Sequence, residues 1–351
     1  MKKFLLTTAA LATMATGAMA ETCTIATSHY VGWYPANWMQ DSGLAAEVGA
    51  KHGVDLEVVF FNEYGPSIDA FVSGNVDGVT ITTLDALIAP AASGVQTEIV
   101  VVGDFSNGND AVLVIDQAGS VNSPEDLVGR DINLVMGSIS EYLFDRWIQA
   151  ADSDLTVADF NLVNTSDVDM PLLIANAAEG EVYVTWNPFV HEALEARDDI
   201  ESVYDSSRIP AEIVDTFAMN ADASAACKSA VADAWYQTMA VMSGGGADAE
   251  AMVIDMAKFA IGDDSVSDED ALDWYNAQLQ TTNMFYTPAD GIAISESAEL
   301  LSAMESVYAF AQDRGMLTDD IGVQMPDGTV IGNADRIMMT FSTEFMAEAA
   351  N

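Results

Sequence analysis

Leu56-Glu57-Val58-Val59-Phe60-Phe61, then Ile68 to Val72, then Gly74-Asn75-Val76-Asp77-Gly78-Val79-Thr80-Ile81-Thr82, then Ala86 to Ala92, then Ile99-Val100-Val101-Val102: along this stretch, short β-rich runs alternate with helical ones. That alternation predicts a parallel sheet covered by helices. Ile99 to Val102 is apolar throughout, as expected of a strand buried on both faces. Working outward, residues 23–29 (Cys-Thr-Ile-Ala-Thr-Ser-His) read as an earlier strand, which Gly32, Pro35 and Asn37 break before a helix.

Downstream the pattern starts again. Ala111 to Ile115 is an apolar strand, and Ser123-Pro124-Glu125-Asp126-Leu127 starts a helix with Ser as N-cap and Pro in first position. Strands at 132–135, 160–163 and 182–186 alternate with helices at 140–150 and 170–178, and Val203-Tyr204 and Ile213 to Met219 close the unit. The two units share an echo: Gly74-Asn75-Val76-Asp77-Gly78-Val79-Thr80-Ile81 parallels Gly180-Glu181-Val182-Tyr183-Val184-Thr185-Trp186. Each is a helix end at Gly, a short turn and a strand that stops at a loop. Open α/β sheets bind ligands at such strand ends. From about Ala221 strand signals vanish, and helices are expected over 228–243, 248–261, 268–280, 296–314 and 334–348. The last carries Ile337, Met338, Phe341, Phe345 and Met346 on one stripe. The many Met residues there read as core filler. Gly244-Gly245-Gly246 breaks a helix, and Pro326-Asp327-Gly328-Thr329 signals a β-turn.

The 351 residues carry 55 Asp and Glu against 11 Lys and Arg, a net charge of −44, yet half are hydrophobic. A disordered acidic chain lacks that apolar supply, so this chain folds, as two domains or lobes. Nucleic acid and anionic membrane surfaces are excluded as partners, because a polyanion gains nothing from such a surface. Lys2-Lys3, the apolar stretch Phe4 to Thr16 and Ala18-Met19-Ala20 form a secretory signal peptide with cleavage expected after Ala20. No later stretch reaches the roughly 18 apolar residues of a membrane span. The mature protein is expected in the periplasm, soluble and not membrane-inserted. In that oxidising compartment Cys23 and Cys227 are expected to form a disulfide tying the first strand to a later helix, with two separate buried thiols as the alternative. No Cys/His cluster offers a zinc or haem site, so no metal or cofactor is expected.

Catalysis finds little support. His29, His52 and His191 sit in no nucleophile or metal motif, and no phosphate loop is present. The loops after the strands are more informative, because aromatics, small hydrogen-bonding residues and carboxylates gather there, the composition of a small-molecule pocket. The expected pocket residues are Trp33, Tyr34, Tyr64, Thr83, Asp85, Asn109, Asp110, Ser138, Ser140, Glu141, Asp167, Trp186 and Asn187. Asp85 and Ser140 also precede helical runs, so capping is an alternative for each. Of the nine basic residues left after cleavage, all but Arg208 are expected away from these loops. That favours a neutral polar or cationic solute, with carboxylates accepting N–H groups and rings covering a planar or cationic group.

Three motifs in order carry a resemblance: a Trp-x-Pro loop at Trp33-Tyr34-Pro35, Ala70-Phe71-Val72-Ser73-Gly74-Asn75-Val76-Asp77-Gly78, and Ser123-Pro124-Glu125-Asp126-Leu127-Val128-Gly129-Arg130. The chain resembles ABC-transporter substrate-binding proteins of the nitrate/sulfonate/taurine type. Gly103-Asp104-Phe105-Ser106-Asn107-Gly108-Asn109-Asp110, Val163-Asn164-Thr165-Ser166-Asp167, Val184-Thr185-Trp186-Asn187-Pro188 and Arg208-Ile209-Pro210-Ala211-Glu212-Ile213 are similar to the branch encoded beside urea carboxylase. Where sulfonate and nitrate binders have Ser-x-x-His, this chain has Ser138-Ile139-Ser140-Glu141, which disfavours an anion. The resemblance implies an α/β, bilobal periplasmic binding protein type II fold: two parallel or mixed sheets flanked by helices, a cleft between lobes and a helical C-terminal tail. Lobe one would be 24–110 plus 217–351 and lobe two 111–216, hinged near Asp110-Ala111 and Thr216-Phe217. It implies no enzyme activity. A monomer would capture urea, a short amide or a guanidine-like solute and hand it to a membrane permease with its ATPase. The alternatives are a taurine, sulfonate or nitrate binder, or an exported enzyme similar to pyrimidine-precursor synthases. Those enzymes rely on a His- and metal-containing site, which three scattered histidines fit poorly.

Overall fold

The computed structural model describes residues 20–317 and 320–351, so the signal-peptide motif up to Met19 lies outside the described residues. The chain opens with β1 (Glu21–Thr27), α1 (Tyr34–Asp41), α2 (Leu44–His52), β2 (Val54–Phe60), α3 (Tyr64–Val72), β3 (Gly78–Thr82), α4 (Thr83–Ala92) and β4 (Thr97–Ser106). A four-residue link leads to β5 (Ala111–Ile115), β6 (Asp131–Leu134), α5 (Ile139–Ala150), β7 (Asn161–Asn164), α6 (Met170–Ala175), β8 (Val182–Thr185), α7 (Phe189–Ala196) and β9 (Ile200–Asp205). The return runs through β10 (Val214–Asn220), α8 (Ala225–Gly244), α9 (Gly246–Ile261), α10 (Asp268–Leu279), β11 (Thr282–Met284), α11 (Pro288–Ser295) and α12 (Ala298–Asp313). It ends in β12 (Gly322–Gln324), β13 (Val330–Gly332), β14 (Ile337–Phe341) and α13 (Glu344–Ala349).

Two sheets result. The larger has the order β13-β12-β14-β4-β10-β3-β1-β2, with β11 also on β4, and the smaller is β7-β6-β8-β5-β9. The chain therefore passes between sheets twice, between β4 and β5 and between β9 and β10. These crossings make both sheets mixed. β10 enters from the second unit and runs antiparallel to both β3 and β4, while β5 is antiparallel to β8 and β9. The other core pairings, β1 with β2 and β3 and β6 with β7 and β8, are parallel, as the helical crossovers require.

Burial follows position in the sheet. Edge strand β2 alternates, with Val54, Leu56 and Val58 inside and Asp55 and Glu57 outside. Interior strands β3 and β5 are buried at every residue. Val112 and Val114 of β5 join the main core, while Leu113 and Ile115 face the other way onto Met170 and Ile174 of α6 and Val190 of α7. Cys23 of β1 is disulfide-bonded to Cys227 of α8, fastening the first strand to the first returning helix.

The expected helix over 334–348 is corrected. Residues 337–341 form strand β14, held between β12 and β4, and only 344–349 are helical. The four-residue spacing of Ile337, Phe341 and Phe345 fits a period of two as well as one of 3.6, and pairing with β4 decides for the strand. Three further strands occur in the tail, each of three residues, too short for any periodicity to show. The sequence reading also passed over α7 and α11. The latter starts with a capping box, Thr287 with Asp290, and Pro288 in its first turn. The turn at 326–329 joins β12 to β13, with the Met325 N–H bonded to the Thr329 carbonyl.

Candidate functional site

Strand ends and helix starts from both sheets meet around a small cavity. Tyr30 and Trp33 come from the loop after β1, Tyr64 from the start of α3, and Thr82 from the end of β3. Ile139 at the start of α5 and Trp186 after β8 come from the second unit. Asp110, Ile213 and Asp215 lie on or beside the two crossings.

The walls are aromatic. The Trp33 and Tyr64 ring centroids lie 5.4 Å apart, Tyr64 and Trp186 5.7 Å, and Tyr30 and Trp33 5.0 Å. Trp186 Nε1 donates to the His29 carbonyl at 2.9 Å, linking the units across the cavity. Trp33 Nε1 is buried without a partner. Gly32 lets this loop approach closely: a Cβ there would sit 2.5 Å from Asp104 Oδ2 and 2.4 Å from the Tyr30 ring.

Behind and between the rings lie four buried carboxyl groups, Asp85, Asp104, Asp110 and Asp215. The Tyr64 hydroxyl donates to Asp85 Oδ2 at 2.9 Å and Thr82 Oγ1 donates to the same oxygen at 2.7 Å. The Ile139 N–H of α5 also reaches Asp85 from the other unit. Burial nonetheless pushes Asp85 up to about 6, with these donors pulling it back. Tyr30 donates to Asp104 Oδ1 at 2.7 Å, and Asp104 Oδ2 has no donor. Burial pushes Asp104 up to about 7 and Asp110 likewise to about 7. Asp215 rises further above the carboxylate range, through burial first and then the nearby Asp104 and Asp110 charges. Among the described residues, no Lys, Arg or His side chain lines the cavity.

Of the residues expected at the site, Trp33, Tyr64, Asp110 and Trp186 line the cavity, and Asp85 lies directly behind Tyr64. Thr83 is the buried first residue of α4. Ser140 is buried at the start of α5, its hydroxyl without a partner, and Ser138 caps that helix by accepting the Ser140 N–H. Tyr34 points elsewhere, bonded to His29 Nδ1 at 2.8 Å. Asn109 and Asn187 bind each other, the Asn187 N–H donating to Asn109 Oδ1 at 3.0 Å, and join the units away from the cavity. Asp167 accepts the Tyr64 N–H at 3.2 Å, a further contact between units. Glu141 is corrected most clearly. It does not line the cavity and is ion-paired with Arg314, whose Nε donates to Glu141 Oε1 at 2.7 Å. Arg314, at the end of α12 in the helical tail, therefore reaches a strand-end loop that was expected to be free of basic residues. Tyr30 stands in the loop after β1, Thr82 ends β3 and Asp104 lies near the end of β4, all at the strand ends that the sequence marks. Asp215 had no signal, because it sits inside the apolar run of β10.

A family model described as NMT1/THI5 like matches residues 49–240, more than half of the chain, and the chain belongs to that family. No curated protein matches it. Among solved structures, the periplasmic aliphatic sulphonate binding protein SsuA from Escherichia coli aligns at 16% identity over 85% of this chain and 94% of its own, with a TM-score of 0.64. The alkanesulfonate-binding SsuA from Xanthomonas axonopodis pv. citri, bound to MOPS, aligns at 15% identity over 86% and 96%, with a TM-score of 0.67. The periplasmic nitrate-binding protein NrtA from Synechocystis PCC 6803 aligns at 12% identity over 94% and 98%, with a TM-score of 0.58. At these identities the likeness shows the fold, that of periplasmic binding proteins.

Proposed function

Starting from its place in the NMT1/THI5-like family, we propose that this chain is the extracytoplasmic solute-binding component of an ABC importer and that its cargo is a small, N–H-rich solute: urea, a short amide or a guanidine-like compound. The single observation that carries the cargo is the cavity's composition. Asp110 and Asp215 line it, Asp85 and Asp104 stand behind, four aromatic residues wall it, and no basic side chain among the described residues faces it. Carboxylates accept N–H groups, and rings cover flat or cationic ones.

The two sheets are the lobes of this reading. Lobe one is 24–110 with the return from β10 onward, and lobe two is the segment between. β10 belongs wholly to the larger sheet, so the second hinge strand is better placed between Asp205 and Val214 than at Thr216-Phe217. Closure is sustained by contacts that cross the lobes: Trp186 to His29, Asp167 to Tyr64, Ser166 to Glu63 and Arg314 to Glu141. A solute that touches both lobes favours this closed form by its differential affinity. The closed monomer then docks on a permease powered by an ATPase, on the periplasmic side to which the N-terminal signal would deliver it.

A second reading, binding of a sulfonate or nitrate, has the names of the structural neighbours in its favour. Against it, an anion would have to sit beside Asp110 and Asp215, which repel it. Thermal shifts of the mature protein decide. Millimolar urea, acetamide or guanidinium, far below denaturing levels, should raise the melting temperature, since a ligand at 100 times its Kd stabilises by about 2.7 kcal/mol. A shift with taurine or nitrate alone would remove the cargo and leave the transport role. Turnover of a bound solute would remove the transport role.

A further inference from the structure

We infer that the cavity takes its solute as a cation, in exchange for a proton shared by Asp104 and Asp215. The inference rests on the solute-binding reading of the same cavity and narrows it to charge. Asp104 in β4 and Asp215 in β10 are register partners on adjacent antiparallel strands. Register partners carry their side chains on the same face of the sheet, so the two carboxyl groups are buried neighbours. Two carboxyl groups can share a hydrogen bond only if one carries a proton. Both residues are almost wholly buried, 0% exposed for Asp104 and 4% for Asp215, so two bare charges there would be costly.

The groups around the pair supply no compensating charge. The loop after β1 contributes the Tyr30 hydroxyl, the β4–β5 link contributes Asp110, and α4 contributes Asp85 beyond it. From the tail, Tyr275 of α10 and Tyr286 lie near enough to feel the Asp104 charge. All are acids or phenols. The buried or half-buried basic side chains nearby pair with other acids, as Arg314 does with Glu141 and Lys228 with Glu98. The missing positive charge must then come from a proton or from the solute.

The cavity's chemistry favours a flat organic cation. Among the described residues no group of three or more His, Cys, Asp or Glu side chains is arranged to hold a metal ion. The Trp33, Tyr64 and Trp186 rings instead offer faces to a delocalised cation. Among the buried atoms without a partner are Asp104 Oδ2, an acceptor, and Nε1 of the cavity-lining Trp33. Asp215, the member of the pair that lines the cavity, can take an N–H from the solute once the pair ionises. In the exchange the pair's proton passes to bulk water and the cation takes its place, so the net charge of the site is unchanged.

The test is calorimetric titration of the mature protein with guanidinium chloride at low millimolar concentration, beside its neutral isostere urea. At pH 7, two buffers of different ionisation enthalpy should reveal about one proton released per guanidinium bound. Guanidinium affinity should rise with pH between 5.5 and 8, by up to about tenfold per pH unit. Asp215→Asn keeps the shape and a hydrogen bond but loses the ionisable group. It should abolish proton release, flatten the pH dependence and weaken guanidinium about 10- to 100-fold. Urea binding should weaken less than guanidinium binding, so that the preference for guanidinium over urea falls. Guanidinium binding without proton release, or urea binding more tightly than guanidinium with no pH dependence, overturns the exchange and leaves the solute-binding reading standing. Binding of taurine or nitrate alone, or of no solute at all, overturns both. If Asp215→Asn does not fold, judged by circular dichroism, the two-buffer measurement on the unaltered protein still decides.

Discussion

Two helix starts face each other across the cavity, built to the same local plan and put to different use. At the first, Thr82 caps α4 and Asp85 stands three residues on. At the second, Ser138 caps α5 and Glu141 stands three residues on. Each acid is buried and each benefits from the positive end of its helix. Asp85 is surrounded by hydroxyl and N–H donors from Tyr64, Thr82 and Ile139, with no cation, behind a wall of the cavity. Glu141 is matched by Arg314, brought from 173 residues away by the helical tail. The first start leaves acceptor capacity beside the cavity, and the second ties the tail to the second unit. A capped acid at a strand end is therefore a pocket residue only where the tertiary fold withholds a cation.

The sharpest way to break this contrast is to remove the cation. Arg314→Ala should strand the Glu141 carboxylate, 2% exposed, with only the Gly137 N–H as partner. Losing one member of a buried pair costs about 3–5 kcal/mol, and the partial exposure of Arg314 lowers that to roughly 2–4 kcal/mol. Thermal unfolding of the mature variant measures it. A loss under about 1 kcal/mol would mean that Glu141 does not need its partner and that the two starts are alike after all.

The next effect comes from the first start and reads as a pH slope. Asp85 is raised to about 6 and Asp104 and Asp110 to about 7. The unfolded chain releases these protons near 4. The folded state therefore holds protons that the unfolded state has lost. Their stabilisation is fully present near pH 4 and disappears as pH rises through 6 and then 7. Each group accounts for on the order of 1–3 kcal/mol. The melting temperature of the solute-free protein should fall between pH 5 and 8, and Asp85→Asn should make that fall shallower. A flat profile would show that the carboxyl groups are hydrated rather than buried.

How much of this was legible in the sequence follows the same division. The two α/β units, the alternation of their strands and helices and the aromatic loop after β1 could be read, because each shows in local periodicity, turn residues and composition. Trp33, Tyr64 and Trp186 were visible because large rings in strand-end loops are unusual. The strand β14 was hidden by a spacing of four that fits both periods. Arg314 beside Glu141 and Asp215 beside Asp104 could not be read, since each pair is made by elements more than 100 residues apart. Asp215 had a further disguise. A carboxyl inside an apolar strand looks like an interruption of the core until its neighbour across the sheet proves to be another carboxyl.

The smallest effect separates the caps themselves. Ser138→Ala removes an acceptor for the Ser140 N–H and should cost about 1 kcal/mol, the usual worth of an N-cap, with no change in the pH slope. Thr82→Ala removes a cap of the same kind and also the hydroxyl that donates to Asp85 Oδ2. That donor pulls the Asp85 carboxyl down toward its ordinary range, so its loss should raise the carboxyl further. The variant should lose about 1–2 kcal/mol at pH 8 and visibly less at pH 5, where Asp85 is protonated and its need for a donor is smaller. Melting curves at the two pH values decide between the starts. Equal losses for Thr82→Ala at both would reduce Thr82 to a cap like Ser138, and Asp85 would then owe its state to Tyr64, Ile139 and burial.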